Sequence, residues 1–462
     1  MSHDRPTAYI VTLGCAKNTV DSEYMAGLLR DSGFRISRQP TGSDLVVLNT
    51  CGFIGDAKEE SLAALESLLE LKAAGQVRSV VAAGCLVQRY PRELREELPE
   101  IDALIGTGDF ERIGEVGRQL LRDVAETSAA RGQCHDLVGL PQYRYEGLLP
   151  RFPLESDFSA YVKISEGCDH SCAFCAIPIM RGRFRSRPAE VIEREVRSLV
   201  EQGAREINLI AQDSTSYGLD VEGKLGLPSL LRRLDHIDGV DWIRVHYAYP
   251  TLVTEDLAAA IADSLHVVHY LDMPLQHGSD RILARMRRAE NRALIEEKVD
   301  LLRREIPDLV LRSTFIVGFP GEGRDDFAAL LDLLQRLQLD RVGFFAYSRE
   351  EGTMAFNLDG QVPALVQLSR LRRAQTVQER VSLERQQRWL GAELPVYVEG
   401  PSEGNPGYWR GRWWGQAPEV DGEVIFAASP AGATGPAPCR GDKVRVLIQR
   451  AEASDLLGVQ VG

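Results

Sequence analysis

Three cysteines that lie close together in the sequence are the residues best suited to chemistry. Cys168, Cys172 and Cys175, here called the loop cysteines, lie in the run Gly-Cys-Asp-His-Ser-Cys-Ala-Phe-Cys, directly after the apolar segment 161–164. A Cys-x3-Cys-x2-Cys spacing at the end of a strand places three thiolates in one small volume. A cubane iron–sulfur cluster takes one thiolate per iron. The spacing therefore predicts a cluster with one open iron, which can bind a substrate.

Zinc and a disulfide are the alternative explanations of the loop cysteines. Structural zinc takes four ligands, typically from two Cys-x2-Cys pairs, and no second pair lies nearby in the sequence. His170, between the first two cysteines, is a candidate for a fourth ligand that would close the site. Eight cysteines in 462 residues do not suggest a disulfide scaffold, and in a reducing compartment they indicate metal ligands or unreactive thiols.

A second set of three cysteines is scattered in the sequence but shares one local context. Cys15, Cys51 and Cys85, here called the strand cysteines, each follow a predicted strand, and those strands are 8–13, 45–49 and 79–83. Ligands bind open parallel sheets at the carboxyl ends of the strands, so three neighbouring strands would bring the thiolates into one crevice. Buried structural cysteines are the alternative. Three equivalent positions, each next to Gly or Thr, favour a second cluster with an open iron.

The elements that must position these cysteines alternate between strands and helices. Residues 6–125 predict an N-terminal parallel-sheet α/β domain, and 126–157, which contain Gly and several Pro, predict a linker. Residues 158–388 contain six predicted strands, too few for an eight-stranded barrel, and so predict a partial (β/α)6 barrel; the strands are 161–164, 207–210, 242–246, 268–271, 312–317 and 341–345. The tail, 391–458, predicts a small all-β barrel or sandwich with strands at 394–399, 422–426 and 443–448.

Charge and hydropathy restrict the classes of function. The formal net charge is −13 and the pI is about 5.3, whereas proteins that mainly grip nucleic acid carry a basic patch and a basic balance. An acidic surface favours a basic partner. No apolar stretch reaches the roughly 18–20 residues of a membrane span, and the first residues carry no signal-peptide cleavage pattern. We therefore expect a cytoplasmic protein with no membrane partner.

Several runs of the chain resemble the radical S-adenosylmethionine (SAM) methylthiotransferases, in order and over nearly the whole length. The N-terminal matches are Thr-Leu-Gly-Cys-Ala-Lys-Asn (12–18), Asn-Thr-Cys-Gly-Phe-Ile (49–54) and Ala-Gly-Cys-Leu (83–86). The match continues at 166–175, 181–187, 274–279 and 315–322, and Ala-Pro-Glu-Val-Asp-Gly (417–422) resembles the TRAM β-barrel of that family. The spacing of the loop cysteines is also that of radical SAM enzymes, in which the open iron chelates SAM.

The family has two branches, which modify either adenosines of transfer RNA or an aspartate of ribosomal protein S-12. Gly-Cys-Ala-Lys-Asn and Leu-Gln-His-Gly-Ser resemble the ribosomal-protein branch, whereas the transfer-RNA branch usually has Gly-Cys-Gln-Met-Asn and Leu-Gln-Ser-Gly-Ser. From residue 391 onward nine acidic residues stand against six basic ones, which suits a basic protein better than RNA phosphates. A transfer-RNA adenosine (2-methylthio) methylthiotransferase is the alternative. Three tryptophans within 408–416 predict either a docking surface or strand residues in the core of the small barrel.

The resemblance implies the cofactors, the reaction and the partners. Each group of cysteines would hold a 4Fe–4S cluster; one would cleave SAM to a radical, and the other would carry sulfur that a first SAM methylates before its transfer to the aspartate β-carbon. Candidates for contact with SAM or substrate are Phe174, Gln212, Asp213, Gln276, Ser279 and Gly318, and each polar one is equally explained as a hydrogen-bonded loop residue. Expected partners are ribosomal protein S-12, free or in the small subunit, a low-potential electron donor such as flavodoxin or ferredoxin, and a sulfur donor. Nucleic acid would be contacted only through the ribosome. A non-catalytic metal- or RNA-binding adaptor is the alternative from another class.

Overall fold

The computed structural model describes residues 5–125, 135–143, 146–154, 158–428 and 437–461. These residues form a five-stranded parallel sheet, a six-stranded parallel sheet, a closed five-stranded barrel and a two-stranded ribbon. The two parallel sheets carry the two groups of cysteines at the carboxyl ends of their strands.

The N-terminal sheet is a parallel sheet covered by helices on both faces. Its strands are β1 (Thr7–Thr12), β2 (Arg35–Ile36), β3 (Leu45–Thr50), β4 (Ser79–Gly84) and β5 (Ala103–Ile105), in the order β2–β1–β3–β4–β5. Its helices are α1 (Ala16–Asp31), α2 (Gly55–Ala73), α3 (Cys85–Arg89), α4 (Pro91–Glu97) and α5 (Ile113–Ala125). Every residue of β3 and β4 is buried, as expected for the central strands of such a sheet.

The register of the N-terminal sheet brings three strand ends to one level. Thr12 of β1 pairs with Asn49 of β3, and Thr50 of β3 pairs with Gly84 of β4. The strand cysteines follow these ends within three residues. The three strands are therefore neighbours, as convergence of the strand cysteines requires.

The central domain is an open arc of six parallel strands with helices on its outer face. Its strands, with the antiparallel ribbon β7–β8, are β6 (Ser159–Lys163), β7 (Ser165–Glu166), β8 (Arg185–Ser186), β9 (Glu206–Ile210), β10 (Trp242–Val245), β11 (Val267–Asp272), β12 (Val310–Val317) and β13 (Arg341–Ala346). The arc has the order β6–β9–β10–β11–β12–β13. Its helices are α6 (Ile177–Arg181), α7 (Ala189–Glu201), α8 (Leu219–Glu222), α9 (Leu227–Leu234), α10 (Glu255–Ala262), α11 (Asp280–Arg285), α12 (Arg292–Glu305), α13 (Arg324–Leu337) and α14 (Ala364–Gln386).

Amphipathic helices account for the core of the central domain. Helix α7, for example, buries Ile192, Val196 and Leu199 at intervals of four and three residues, which is the spacing of one helix face. These side chains belong to one hydrophobic core with the strands of the arc. Each strand–helix unit is held in this way, so the strand ends form a fixed rim.

The C-terminal residues form the closed barrel and pack against the amino ends of the central strands. Its strands are β14 (Glu393–Pro401), β15 (Tyr408–Trp413), β16 (Val424–Ala427), β17 (Lys443–Ala451) and β18 (Leu456–Gln460), closing in the order β14–β15–β16–β18–β17. Trp242 and Val268, near the starts of β10 and β11, belong to the barrel's hydrophobic core. Glu206, the first residue of β9, forms ion pairs with Arg244 and with Arg412 of the barrel at 2.9 Å each. The barrel therefore lies at the opposite end of these strands from the cysteines.

The predicted fold class is confirmed, with additional strands, and the structure decides between the two explanations of the tryptophan run. Each predicted strand is present with ends within three residues of the prediction, whereas β2, β5, β15, β18 and the ribbon were not predicted. Trp413 is fully buried, and Trp409 and Trp414 pack against the same core, so the tryptophan run is barrel core rather than a docking surface. No helix within the described ranges is long and apolar enough to cross a membrane.

The segment predicted as a linker is packed where the structure describes it. Leu137 forms a parallel bridge with Ile105, and buried Arg151 pairs with both Glu23 and Glu195. Arg151 thereby joins the N-terminal domain to α7 of the central domain. The rest of the predicted linker, 126–134, 144–145 and 155–157, lies outside the described residues.

Candidate functional site

The loop cysteines lie on one compact segment between the ribbon strand β7 and helix α6. Gly167 turns the chain with a φ of 80°. A Cβ at this position would lie 2.1 Å from the carbonyl oxygen of Arg183, so only glycine fits against the returning chain. The N–H of Cys175 donates to the carbonyl oxygen of Cys172 at 3.2 Å. The loop thus holds its three thiols within one short turn.

Aromatic and charged neighbours fix the orientation of this loop. The Arg288 guanidinium lies 3.7 Å from Cys172 Sγ and 4.0 Å from the ring centroid of Tyr249. The His170 ring stacks on Tyr249 at 3.8 Å, and its Nε2 lies 2.7 Å from Asp213 Oδ2. One ring nitrogen of His170, the candidate fourth ligand, is therefore engaged by a buried carboxylate, which explains the residue as a support of the loop.

Burial sets the protonation state of the loop thiols. It raises the pKa of Cys168 and of Cys175 to about 12, so both are protonated at neutral pH when no metal is bound. The N–H of Ile177 lies 3.4 Å from Cys175 Sγ and acts in the opposite direction. Thiolates rather than thiols bind metals, so binding of a cluster here must release protons.

The strand cysteines share one crevice at the carboxyl ends of β1, β3 and β4. Gly14, with a φ of 96°, packs so closely that a Cβ there would lie 2.9 Å from Cys51 Sγ. The pKa of Cys85 is raised to about 11, mainly by burial, and the neighbouring Cys15 and Cys51 act in the same direction. Three residues that are far apart in sequence are thus brought within electrostatic reach of one another.

Asn18 joins the loops that carry the strand cysteines. Its Nδ2 donates to the carbonyl oxygens of Leu13 at 2.7 Å and Thr50 at 3.1 Å, which links the segments around the first two cysteines. Its Oδ1 accepts from Arg181 at 2.6 Å and lies 3.9 Å from Cys85 Sγ. A single buried amide therefore fixes all three loops and connects them to the central domain.

Helix α6 contacts both groups of cysteines. It begins two residues after Cys175 and ends at Arg181. Met180 packs in one cluster with Cys85, and the positive charge of nearby Arg181 lowers the pKa of the Cys85 thiol against the effect of burial. The two candidate sites are therefore adjacent, with one short helix between them.

A buried ionic network holds α6 against the N-terminal domain. Lys163 of β6 pairs with Glu166 at 2.7 Å and also with Asp21 of α1, while Arg181 pairs with Asp21 at 2.6 Å and with Glu166 at 3.4 Å. None of the four side chains is more than 6% exposed. Burial alone would raise the pKa of Glu166, but Lys163 and Arg181 outweigh it and hold that pKa well below its ordinary value. Two cations and two carboxylates from both domains thus form one balanced cluster.

Sequence reasoning assigned no role to this network. Its members come from two domains, so no local pattern connects them. One feature of the sequence could have predicted a buried ion pair here. Lys163 interrupts an otherwise apolar predicted strand, and a buried charge needs a partner.

Among the residues predicted to contact SAM or substrate, three lie beside the loop cysteines. Phe174 is half-buried and packs against a cluster that includes Phe319. Gln212 donates through Nε2 to Glu166 at 2.6 Å, while its buried Oε1 has no hydrogen-bond partner among the described residues. Asp213 is buried and accepts hydrogen bonds from loop residues, besides its contact with His170. Gln212 is thus the polar candidate that keeps an open acceptor.

The other three predicted residues lie around the ends of β11 and β12. Gln276 has a left-handed φ of 68° and forms a backbone bridge with Phe315. Ser279 Oγ donates to Asp326 at 2.7 Å. At Gly318, with a φ of 73°, a Cβ would lie 2.4 Å from the side chain of Gln367. Ser279 is therefore engaged within the fold, and Gly318 is required where α14 crosses the strand end.

The donor set at both sites fits an iron–sulfur cubane. No group of three His, Cys, Asp or Glu side chains in the described part of the chain is placed to hold a single metal ion. The ligands of a cubane bind different irons, and so stand farther apart than the ligands of one zinc ion. Each site offers three cysteine sulfurs, with an arginine beside one of them: Arg288 beside Cys172 and Arg181 beside Cys85. Such cations suit an anionic, thiolate-ligated cluster.

Three parts of the chain match described families, and the whole chain has similar relatives. Residues 7–106 match the Uncharacterized protein family UPF0004, residues 162–334 the Radical SAM superfamily and residues 390–461 the TRAM domain. The chain is 46% identical to the "Ribosomal protein uS12 methylthiotransferase RimO" of Symbiobacterium thermophilum, over 97% of this chain and 90% of that protein. It is 43% identical to the protein of that name from Desulforamulus reducens, over 98% and 99% of the two chains. The chain belongs to the RimO family.

A solved structure supports the fold of this RimO family member. The radical SAM methyltransferase TsrM from Kitasatospora setae, determined with cobalamin and a 4Fe–4S cluster bound, superposes with a TM-score of 0.57 over 88% of this chain and 81% of its own. The identity is 14%, so this likeness concerns the fold alone. Membership of the RimO family confirms the resemblance to radical SAM methylthiotransferases, and it does not favour the transfer-RNA alternative.

Proposed function

We propose that this chain adds a methylthio group to the β-carbon of an aspartate of ribosomal protein uS12, using SAM and two 4Fe–4S clusters. The observation that carries the proposal is the contact of helix α6 with both groups of cysteines. Two adjacent clusters with open irons suit a reaction in which one site makes a radical and the other holds sulfur. The names of relatives at 46% and 43% identity support the same reaction. In the product, a C–H bond of the aspartate is replaced by C–SCH3.

The two groups of cysteines have different roles in this proposal. We assign the loop cysteines to the cluster that binds SAM and the strand cysteines to the cluster that holds the sulfur. When bound, the first cluster with its SAM would supply a 5′-deoxyadenosyl radical, and the second would supply a methylated sulfur. We also assign Gln212 to SAM or substrate, because its buried Oε1 keeps an open acceptor position.

The residues of the chain hold these sites in place and tune their charge. Arg288 places a positive charge at Cys172, and Arg181 places one at Cys85, so each offsets part of the negative charge of a thiolate-ligated cluster. The balanced network around Lys163 and Arg181 fixes α6.

Each part of the proposed reaction belongs to a different domain of the chain. We propose a methylthiotransferase N-terminal domain at 6–125, a linker at 126–157, a radical SAM core at 158–388 and a TRAM domain at 391–458. The acidic balance after residue 391 suits docking of a basic ribosomal protein. The work would take place in the cytoplasm, where ribosomal proteins are present, with a flavodoxin or ferredoxin as electron donor and a separate sulfur donor.

Mass spectrometry of uS12 tests the proposed reaction. Anaerobically reconstituted enzyme, SAM and a reductant are incubated with purified uS12, and the protein is digested and analysed. We expect one aspartate-containing peptide to gain the mass of a methylthio group in place of hydrogen. Methylthio-adenosine in transfer RNA, with unmodified uS12, would instead establish the transfer-RNA reaction. SAM that is never cleaved to 5′-deoxyadenosine would support the adaptor.

A further inference from the structure

Lys17 is a buried lysine that has no anionic partner among the described residues. Its side chain projects from the first turn of α1, two residues after Cys15, and the residue is only 9% exposed. Its Nζ lies 3.3 Å from the ring centroid of Tyr247, and it forms no ion pair or hydrogen bond with any residue that the structure describes. An ammonium group removed from water is costly unless it is paired. A face of an aromatic ring offsets only part of that cost.

The lysine lies where the two candidate sites meet the rim of the central strands. Tyr247 follows the carboxyl end of β10 by two residues, and Tyr249, two residues later, stacks on His170 of the cysteine loop. Tyr247 also packs with the core of the N-terminal domain. Lys17 is therefore two residues from a strand cysteine, and its aromatic partner is two residues from the tyrosine that contacts the loop of the other three.

The arginines that act on the same neighbourhood as Lys17 already have carboxylate partners. Arg312 is paired with Asp272 and Asp421, and Arg244 is paired with Glu206. His246, next to Tyr247 in the chain, has a pKa well below its ordinary value, because of burial and then the positive charges of Arg244, Arg312 and Lys17. The nearest basic groups are thus either neutral or already matched. An anion brought by a ligand would find Lys17 available.

We propose that Lys17 Nζ binds the side-chain carboxylate of the substrate aspartate and so selects aspartate over its neutral isosteres. This inference rests on the proposed function, which requires an aspartate whose β-carbon lies between the two sites. A carboxylate held at Lys17 would lie beside Tyr247, two residues from the Tyr249 ring that stacks on His170 of the cysteine loop. Lys17 is in this account a specificity-determining residue and takes no part in forming the radical.

Binding of uS12 and of its variant with the target aspartate changed to asparagine tests the proposal. The target is the aspartate identified by mass spectrometry, and affinities are measured with the full-length reconstituted enzyme. A hydrogen-bonded charge pair in a buried site is lost in the asparagine form, so we expect wild-type enzyme to bind the aspartate form about 10- to 100-fold more tightly. Equal affinity for the two forms would overturn the proposal without any variant of the enzyme.

Variants at Lys17 locate the source of that preference. Lys17→Met should bind both forms with equal, weak affinity, whereas Lys17→Arg should keep most of the preference because it keeps the charge. The matched control is Lys224→Met, since that side chain is 73% exposed and paired with Glu222; it should behave as wild type. A Lys17→Met enzyme that retains the preference for aspartate would contradict the proposal.

Two further readouts separate this role from other uses of Lys17. Lys17→Met should keep the iron content of wild type and the same rate of SAM cleavage in the absence of uS12. Slower cleavage without uS12 would show that Lys17 serves SAM, and loss of iron would show that it supports the cluster; either result overturns the proposal. Failure of the proposed function is a different outcome, in which wild-type enzyme leaves uS12 unmodified.

Discussion

The two groups of cysteines are alike in chemistry but differ in how the chain builds them. The loop cysteines span only eight residues, 168–175, and one turn with a single glycine constraint brings them together. The strand cysteines are spread over residues 15–85 and meet only because β1, β3 and β4 are neighbours in register. One site is encoded locally, and the other is encoded by the fold.

This difference has a consequence for what supports each site. The loop site needs contacts that orient a preformed turn, such as His170 against Asp213. The strand site needs a residue that reaches all its loops, and Asn18 does so with Arg181 from the other domain. We therefore expect the strand site to depend on contact between the domains, and the loop site to be less sensitive to it.

The largest expected effect comes from removing a ligand of the loop site. Cys172→Ala should abolish the cleavage of SAM to 5′-deoxyadenosine and with it all methylthiolation, because a cluster with two remaining thiolates is not held. The iron content should fall by about half, with the remaining iron at the strand site. Iron analysis and chromatography of the SAM products measure both effects. Cys439→Ala, at an exposed cysteine, is the control and should change neither.

The next effect tests the dependence of the strand site on contact between domains. Arg181→Leu leaves the buried carboxylates of Asp21 and Glu166 with Lys163 alone. Breaking a buried ion pair by removing one partner costs about 3–5 kcal/mol, so the urea midpoint of the apoprotein should fall markedly. Reconstituted Arg181→Leu should lose iron first from the strand site.

An exposed arginine on the same segment provides the comparison for Arg181. Arg183 pairs with Asp169 but is 87% exposed, and exposed pairs contribute about 0–1 kcal/mol. Arg183→Leu should therefore leave both the urea midpoint and the iron content close to wild type. If both variants lost stability and iron to the same extent, burial of Arg181 would not be the cause of its effect.

A third effect concerns the barrel contact, which lies at the other end of the strands from both sites. Burial would raise the pKa of Glu206, but Arg412 and Arg244 outweigh it and lower that pKa from 4.5 to about 2. The ion pairs of Glu206 with its two arginines therefore stabilise the fold above about pH 4.5. This contribution of about 3 kcal/mol to the free energy of unfolding is lost as the pH falls towards 2.

Glu206→Gln isolates this contribution. The difference in unfolding free energy between the wild-type and variant apoproteins should shrink as the pH falls from 4.5 to 2, and tryptophan fluorescence follows it because Trp413 and Trp414 lie beside the contact. At neutral pH the variant should still assemble both clusters. A difference that stays constant with pH would show that Glu206 is not held ionised by its arginines.

The smallest effect is expected from removing the side-chain hydrogen bonds that hold Cys51, one of the strand cysteines. Ser61 Oγ lies 3.0 Å from both the N–H and the carbonyl oxygen of Cys51 and is fully buried. Ser61→Ala removes these bonds at a cost of about 1 kcal/mol. We expect full iron content but faster loss of strand-site iron to a chelator. Ser67→Ala, which removes a bond on the exposed face of the same helix, should lose iron at the wild-type rate.

The fold and the cysteine groups were largely predictable, because both leave strong local signals. Apolar runs such as that of β3 must be buried strands, and cysteines after three such runs indicate a shared strand edge. The sequence of β15 did not decide between a docking surface and a strand of the barrel core, because its tryptophans, glycine and arginines are compatible with both. Burial of Trp413 and pairing of Arg412 with Glu206 depend on partners far away in the sequence.

The supporting residues of the site could not be predicted for the same reason. Arg181 and Asp21 are 160 residues apart in the chain yet hydrogen-bonded, and no periodicity connects them. The role of Lys17 is equally invisible, because an isolated lysine near a helix start usually lies in solvent. Only its burial against Tyr247 distinguishes it.

Iron analysis of a variant with Cys15, Cys51 and Cys85 all changed to alanine shows whether the strand cysteines hold a second, separate cluster. We expect about four irons in the variant against about eight in wild type, with SAM still cleaved to 5′-deoxyadenosine and uS12 left without a methylthio group. Eight irons in the variant, or methylthiolated uS12, would contradict this expectation.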